Sequence, residues 1–310
     1  METDNQGQLY PPEIWVIGGG KGGTGKTFVA SSLGICLARN NNKVILIDND
    51  IGGANLHSML GIRNPEKSLT HFFEKKMPLE DIVLDTGMAN LSLISGDIHS
   101  LDPNSIKHAQ KMKLLRHIAK LQAQYAIIDV GAGSHHYILD TFLFADKMIV
   151  IVVPEIIAVE NAYQFIKNAQ FRKLRMLFRT KDTREIVLEA WSNRGKYEIK
   201  NLKDLIEYLK RIPDLQTVIE KEMSRFKVHI ILNKARNSQD AYMGFSLKST
   251  LMKYLGIKSV YAGFIEYGQE IENSVRKREP LMRSESTSSY IKEVEVITDN
   301  LVKGKEAGFF

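Results

Sequence analysis

Cysteine is almost missing from this 310-residue chain, which has Cys36 and no other. One thiol makes no internal disulfide, and a cluster or structural-zinc site needs several, so both are excluded as devices of a single chain. Its neighbours Leu33, Ile35 and Leu37 place Cys36 in a helix interior, as packing. Long apolar runs are also lacking: none approaches the roughly 20 residues that cross a bilayer. The opening stretch Met1 to Gln8 has neither the basic nor the apolar region of a signal peptide, so the expected location is the cytoplasm. Low-complexity tracts and repeats are absent, and 44% apolar with 25% charged residues is ordinary for a globular chain of this size.

The formal charge of +6 is unevenly spread. Residues 172–211 hold 12 Lys+Arg against 6 Asp+Glu, an excess as large as that of the whole chain. Such a stretch is either a solvated helix face or a docking face for an acidic protein, nucleic acid or anionic lipid.

Seven short, mostly continuous apolar runs alternate with helical stretches: Trp15–Ile17, Val44–Ile47, Leu91–Ile94, Ala126–Ile128, Met148–Val153, Val228–Leu232 and Val260–Ile265. Continuous runs suit strands buried on both faces, and intervening helices imply right-handed crossovers. The expectation is an α/β fold, a doubly wound, mostly parallel sheet of about seven or eight strands flanked by helices, with ligands at the strands' carboxyl ends. A helical insertion is expected over 174–224, where Leu202, Leu205, Ile206 and Leu209 recur at helical spacing before a turn at Ile212-Pro213-Asp214. This divides the chain into an arm (1–12), one domain with that insertion (13–303) and a tail (304–310).

The run Trp15-Val16-Ile17 enters Gly18-Gly19-Gly20-Lys21-Gly22-Gly23-Thr24-Gly25-Lys26-Thr27, which fits G-x-x-x-x-G-K-T from Gly20 onward and opens a helix. Backbone N–H groups of Gly20, Gly22, Gly23, Thr24 and Gly25 are the candidate phosphate cradle. In such a loop Lys26 neutralises β/γ oxygens and Thr27 offers its hydroxyl to Mg²⁺. The implied ligands are ATP and Mg²⁺. Further along, Ala126-Ile127-Ile128 ends in Asp129, and an acid at a buried strand tip is the arrangement that holds Mg²⁺ through water. Asp48 closes the Val44–Ile47 strand in the segment Asp48-Asn49-Asp50-Ile51-Gly52-Gly53-Ala54-Asn55-Leu56. His135 and His136 lack companion metal ligands at useful spacing.

With its second lysine, Lys-Gly-Gly-Thr-Gly-Lys-Thr resembles the deviant Walker A loop of the MinD/ParA family of P-loop ATPases (SIMIBI type). The resemblance is nearest the FlhG/FleN flagellar-number branch, through Asp129-Val130-Gly131-Ala132-Gly133, Val153-Pro154-Glu155 with Asn161-Ala162-Tyr163, and Tyr261–Tyr267 with Val275–Leu281. It spans about residues 14 to 285. The resemblance implies an ATP hydrolase that acts as a homodimerising switch. It casts Lys21 as reaching the phosphates bound by a second subunit, Asp50 as orienting the attacking water, and Asn55 as a neighbour of the γ-phosphate. Asp48 is set near the metal's waters and Asn233 on the adenine.

The branch's activating arm carries a D-Q-A type motif, where this chain has only Asp4-Asn5-Gln6-Gly7-Gln8-Leu9. Family members attach to membranes through a C-terminal amphipathic helix, and Tyr290, Val294, Ile297 and Leu301 make one apolar stripe, with Phe309 and Phe310 at the end. The same stripe suits a packed final helix. Three other outputs stay open: nonspecific DNA binding through Arg172, Lys173 and Arg175, a protein partner on 172–211, and a slow-turnover ATP-binding scaffold. Cluster carriers of the family need paired cysteines, which this chain lacks.

Overall fold

A computed structural model describes residues 11–50, 53–96, 108–178, 181–278 and 288–308. Its frame is one eight-stranded sheet in the order β3-β4-β2-β5-β1-β6-β7-β8. The strands are β1 (Glu13–Gly18), β2 (Val44–Asn49), β3 (Leu84–Met88), β4 (Leu91–Ile94), β5 (Tyr125–Val130), β6 (Lys147–Val152), β7 (Val228–Ala235) and β8 (Ser259–Glu266). Each of the seven apolar runs falls on one of these strands, with Val153 just past the end of β6. The eighth, β3, is the edge strand and pairs antiparallel with β4, while the other neighbours run parallel.

Along β1 successive side chains go to opposite cores. Ile14 and Val16 join the apolar layer that includes Phe142 and Phe165, whereas Trp15 and Ile17 join the one with Leu33 and Val294. Burial on both faces is why β1 reads as a continuous apolar run. The first layer is built from α5 (His136–Leu143), α6 (Ile156–Leu177) and α10 (Ser238–Leu255), the second from α1 (Lys26–Arg39) and α12 (Ser289–Lys303). Because β1 lies between β5 and β6, the chain winds to one side of it before β5 and to the other after, and the loop following β1 opens at the switch point.

The segment between α6 and β7 is helical: α7 (Lys181–Ser192), α8 (Leu202–Lys210) and α9 (Pro213–Ser224). Leu202, Leu205, Ile206 and Leu209 are buried and join the same apolar layer as Val150 and Ile230. Asn201 caps α8 by accepting from the Asp204 N–H at 3.1 Å.

The structure bears on two candidate outer surfaces. The stripe Tyr290, Val294, Ile297 and Leu301 faces inward, each residue no more than 2% exposed, against α1 and β8. The Tyr290 and Ser32 hydroxyls share a buried hydrogen bond. Apolar area already spent on the core is not on offer to lipid. Among the basic residues proposed for DNA, Arg172 is held by Asp140 in a two-pronged pair at 2.8 and 2.9 Å, and Lys173 pairs with Glu222 at 3.1 Å. Residues 1–10, Ile51, Gly52, Glu279–Leu281, Phe309 and Phe310 lie outside the described residues. No helix among the described residues is long and apolar enough to cross a membrane.

Candidate functional site

The loop from Gly19 to Gly25 connects β1 to the first turn of α1. Gly25 sits before that turn at φ 90°, and a Cβ there would lie 2.3 Å from the Asn233 Nδ2, so both backbone and space demand glycine. Gly20 serves another purpose. A Cβ on it would meet the Asn161 carbonyl oxygen at 2.1 Å, so it locks the loop against α6. Only Gly22, Gly23 and Gly25 of the expected cradle glycines line the cavity, which has a volume of about 650 Å³ and also takes in Lys26, Thr27, Asp50, Asn55 and Asn233. Open space surrounds Gly22 and Gly23. N–H groups at a helix start beside a cavity form a phosphate seat.

Lys26 is 8% exposed, and burial lowers its ammonium pKa, offset by the Asp129 and Asp50 carboxylates. Asp129 and Asp48 stand opposite each other on paired β5 and β2. Burial pushes the Asp129 carboxyl up to about 8, and the charge of Asp48 adds to the rise. The Asp129 Oδ1 is buried without a hydrogen-bond partner among the described residues. A buried acid short of donors beside the Thr27 hydroxyl is a fitting oxygen donor set for a hydrated divalent cation, so these residues suit Mg²⁺.

Asp48 has a different immediate task. Its carboxylate accepts the Leu56 N–H at 2.9 Å and the Asp50 N–H at 3.2 Å, bracing the segment that carries Asp50 and Asn55. Burial still lifts it to about 6. Asp50 is half-buried, its pKa raised by desolvation and opposed by Lys26. Its carboxylate fills the space where a Gly131 side chain would be, 2.6 Å from the position of a Cβ. The Asn55 amide donates to the Gly53 carbonyl at 2.5 Å. Asn233 holds the loop itself, donating to the Thr24 carbonyl at 2.8 Å while its Oδ1 accepts the Lys234 N–H at 3.0 Å. Thr24 is buried, and its hydroxyl has no hydrogen-bond partner among the described residues.

Lys21 stands apart from the others. It is absent from the cavity wall, and its Nζ meets the Glu155 carboxylate at 2.7 Å on the outer flank. The side chain is 40% exposed.

Sequence reasoning missed the far wall of the cavity. Glu266, Tyr267 and Gly268 at the end of β8, with Ile271 and Arg276 from α11 (Gln269–Lys277), close the space opposite the loop. The Arg236 guanidinium lies 5.5 Å from the Tyr267 ring centroid. Their position past a parallel strand's carboxyl end is the signal that could have found them.

Comparison with known proteins agrees with this geometry. The AAA domain family model matches residues 13–180. Antiactivator FleN of Pseudomonas aeruginosa is 28% identical over 163 residues, 52% of this chain and 58% of that protein. The chain spans about half the length of the curated relatives it matches. Among solved structures, septum site-determining protein MinD from Pyrococcus horikoshii, complexed with Mg-ADP, superposes with a TM-score of 0.65 at 18% identity, over 94% of this chain and 96% of that one. A putative plasmid partition protein of Borrelia burgdorferi bound to AMPPNP gives 0.61 at 20% identity, over 94% and 99%.

Proposed function

We propose that this chain, which belongs to the MinD/ParA family of P-loop ATPases with its AAA domain at residues 13–180, hydrolyses ATP as the timer of a homodimerising switch. The position of Lys21 carries this reading. A lysine that completes the loop motif yet stays off its own cavity and on an exposed flank is available to a second molecule's phosphates.

In the proposed cycle the ATP phosphates rest on the N–H groups from Gly22 to Thr27, and Lys26 draws charge from the β/γ oxygens. Thr27, with Asp129 behind it, would hold Mg²⁺, which would supply positive charge against the phosphates. Asp50 orients the attacking water, and Asp48 keeps Asp50 in place through its grip on the Asp50–Leu56 backbone. The base lies toward Asn233 and Tyr267. Lys21 from each protomer enters the other's site, and departure of the phosphate undoes the pairing. The resemblance to the FlhG/FleN branch, together with the match to an antiactivator, makes regulation of the number or position of flagella or other polar machinery the output this reading expects. Docking of a protein on the 172–211 segment remains compatible with this cycle. DNA docking through Arg172 and Lys173 is disfavoured by their pairing with Asp140 and Glu222.

Magnesium-dependent ATP turnover tests the chemistry. Asp50→Ala is expected to lower turnover by about 100-fold or more with nucleotide binding retained, and Lys26→Ala to lose binding as well. Unchanged turnover in Asp50→Ala overturns the assignment.

A further inference from the structure

Hydrolysis breaks the bond from the γ-phosphorus to the β,γ-bridging oxygen, joins a water oxygen to that phosphorus and releases a proton. ADP then stays on the Gly22–Thr27 loop and blocks the way back through its cavity. Inorganic phosphate is left at the Asp50 wall, and a second cavity begins on the other side of that wall.

This cavity has a volume of about 640 Å³ and shares Asp50 and Ala132 with the nucleotide cavity. Its lining is rich in hydrogen-bond donors. Asn49 is 2% exposed, its Oδ1 accepts the Tyr137 hydroxyl, and its amide nitrogen is buried without a partner among the described residues. A buried donor left over calls for an acceptor that the described residues do not supply. Lys111 lies over the Tyr137 ring, its Nζ 4.3 Å from the centroid, and among the described residues no carboxylate pairs with it. Burial lowers the Lys111 ammonium pKa, a cost that an anion alongside would offset. His135 and His136 add exposed imidazoles at the rim. Arg172 also reaches the wall, but its guanidinium is taken by Asp140.

We propose that this cavity is a holding site for inorganic phosphate, entered from the Asp50 wall after hydrolysis, with Lys111 and the Asn49 amide as the groups that receive the anion. The like charge of Asp50 favours onward movement away from the reaction centre, and the donors beyond it make that movement downhill. The proposal rests on the ATPase reading of the neighbouring cavity.

The test is a titration of the full-length protein, loaded with Mg-ADP, with inorganic phosphate, followed through the NMR imidazole signals of His135 and His136. Phosphate is expected to move these signals in a saturable way, and Lys111→Gln to weaken the effect about tenfold, as loss of one charge-assisted hydrogen bond should. ADP affinity, measured on the same samples, is expected to stay unchanged in the variant. Failure of ADP to bind overturns the ATPase reading and this proposal with it. Intact ADP binding with phosphate shifts confined to residues around Lys26, or with equal phosphate affinity in Lys111→Gln, overturns the holding site alone.

Discussion

Asp48 and Asp129 face each other across the β2–β5 pairing, both no more than 1% exposed, yet only one has its hydrogen bonds filled. Asp48 is satisfied by backbone N–H groups and works as a brace. Asp129 keeps an oxygen with no hydrogen-bond partner among the described residues, which suits the metal role proposed for it.

Replacing Asp129 by Asn should therefore stabilise the metal-free protein by about 1–3 kcal/mol, by removing a buried acid that has too few donors. The same change should abolish the extra stability conferred by Mg-ADP over ADP alone. Thermal unfolding with and without Mg²⁺ checks both directions, and an undiminished Mg²⁺ increment counts against the role of Asp129.

His229 on β7 is buried, and desolvation, reinforced by Lys147 and Lys227, lowers its pKa to about 4. Since an unfolded histidine titrates near 6.5, the unfolded chain gains a proton first as pH falls. Stability is then complete above about pH 6.5 and drains away toward pH 4, by about 3 kcal/mol at most from this group. Denaturant unfolding at several pH values is expected to display this acid limb, and His229→Gln to flatten it.

The burial of Val294 at the α12–α1 contact makes the last helix a structural element. Val294→Asp is expected to cost roughly 3 kcal/mol, read by denaturant unfolding, because a charge enters an apolar layer. Stability equal to wild type together with lost vesicle flotation would mean that α12 leaves the core to meet lipid.

Much of this was legible in the amino-acid sequence. Strands buried on both faces leave unbroken apolar runs such as Ile149–Val152, and the loop from Gly20 to Thr27 announces itself through glycine and lysine spacing. The edge strand β3 was not legible, since Leu84-Asp85-Thr86-Gly87-Met88 has one buried residue and a glycine at φ 71°. Nor was the division of labour between Asp48 and Asp129, because which acid finds backbone donors depends on how the segment after Asp50 folds back. The Tyr267 wall and the Lys21–Glu155 pair join residues more than 100 positions from the loop, and no local pattern reports such a meeting.

The most direct test of the switch is the mass of the Asp50→Ala protein by light scattering, in ATP and in ADP. The Lys21–Glu155 pair is exposed, so Lys21→Ala should leave the fold intact. A species of twice 35.1 kDa is expected in ATP alone, with a return to the single-chain mass when Lys21→Ala is added to Asp50→Ala. A mass indifferent to nucleotide, or an ATP dimer that survives without Lys21, would contradict it.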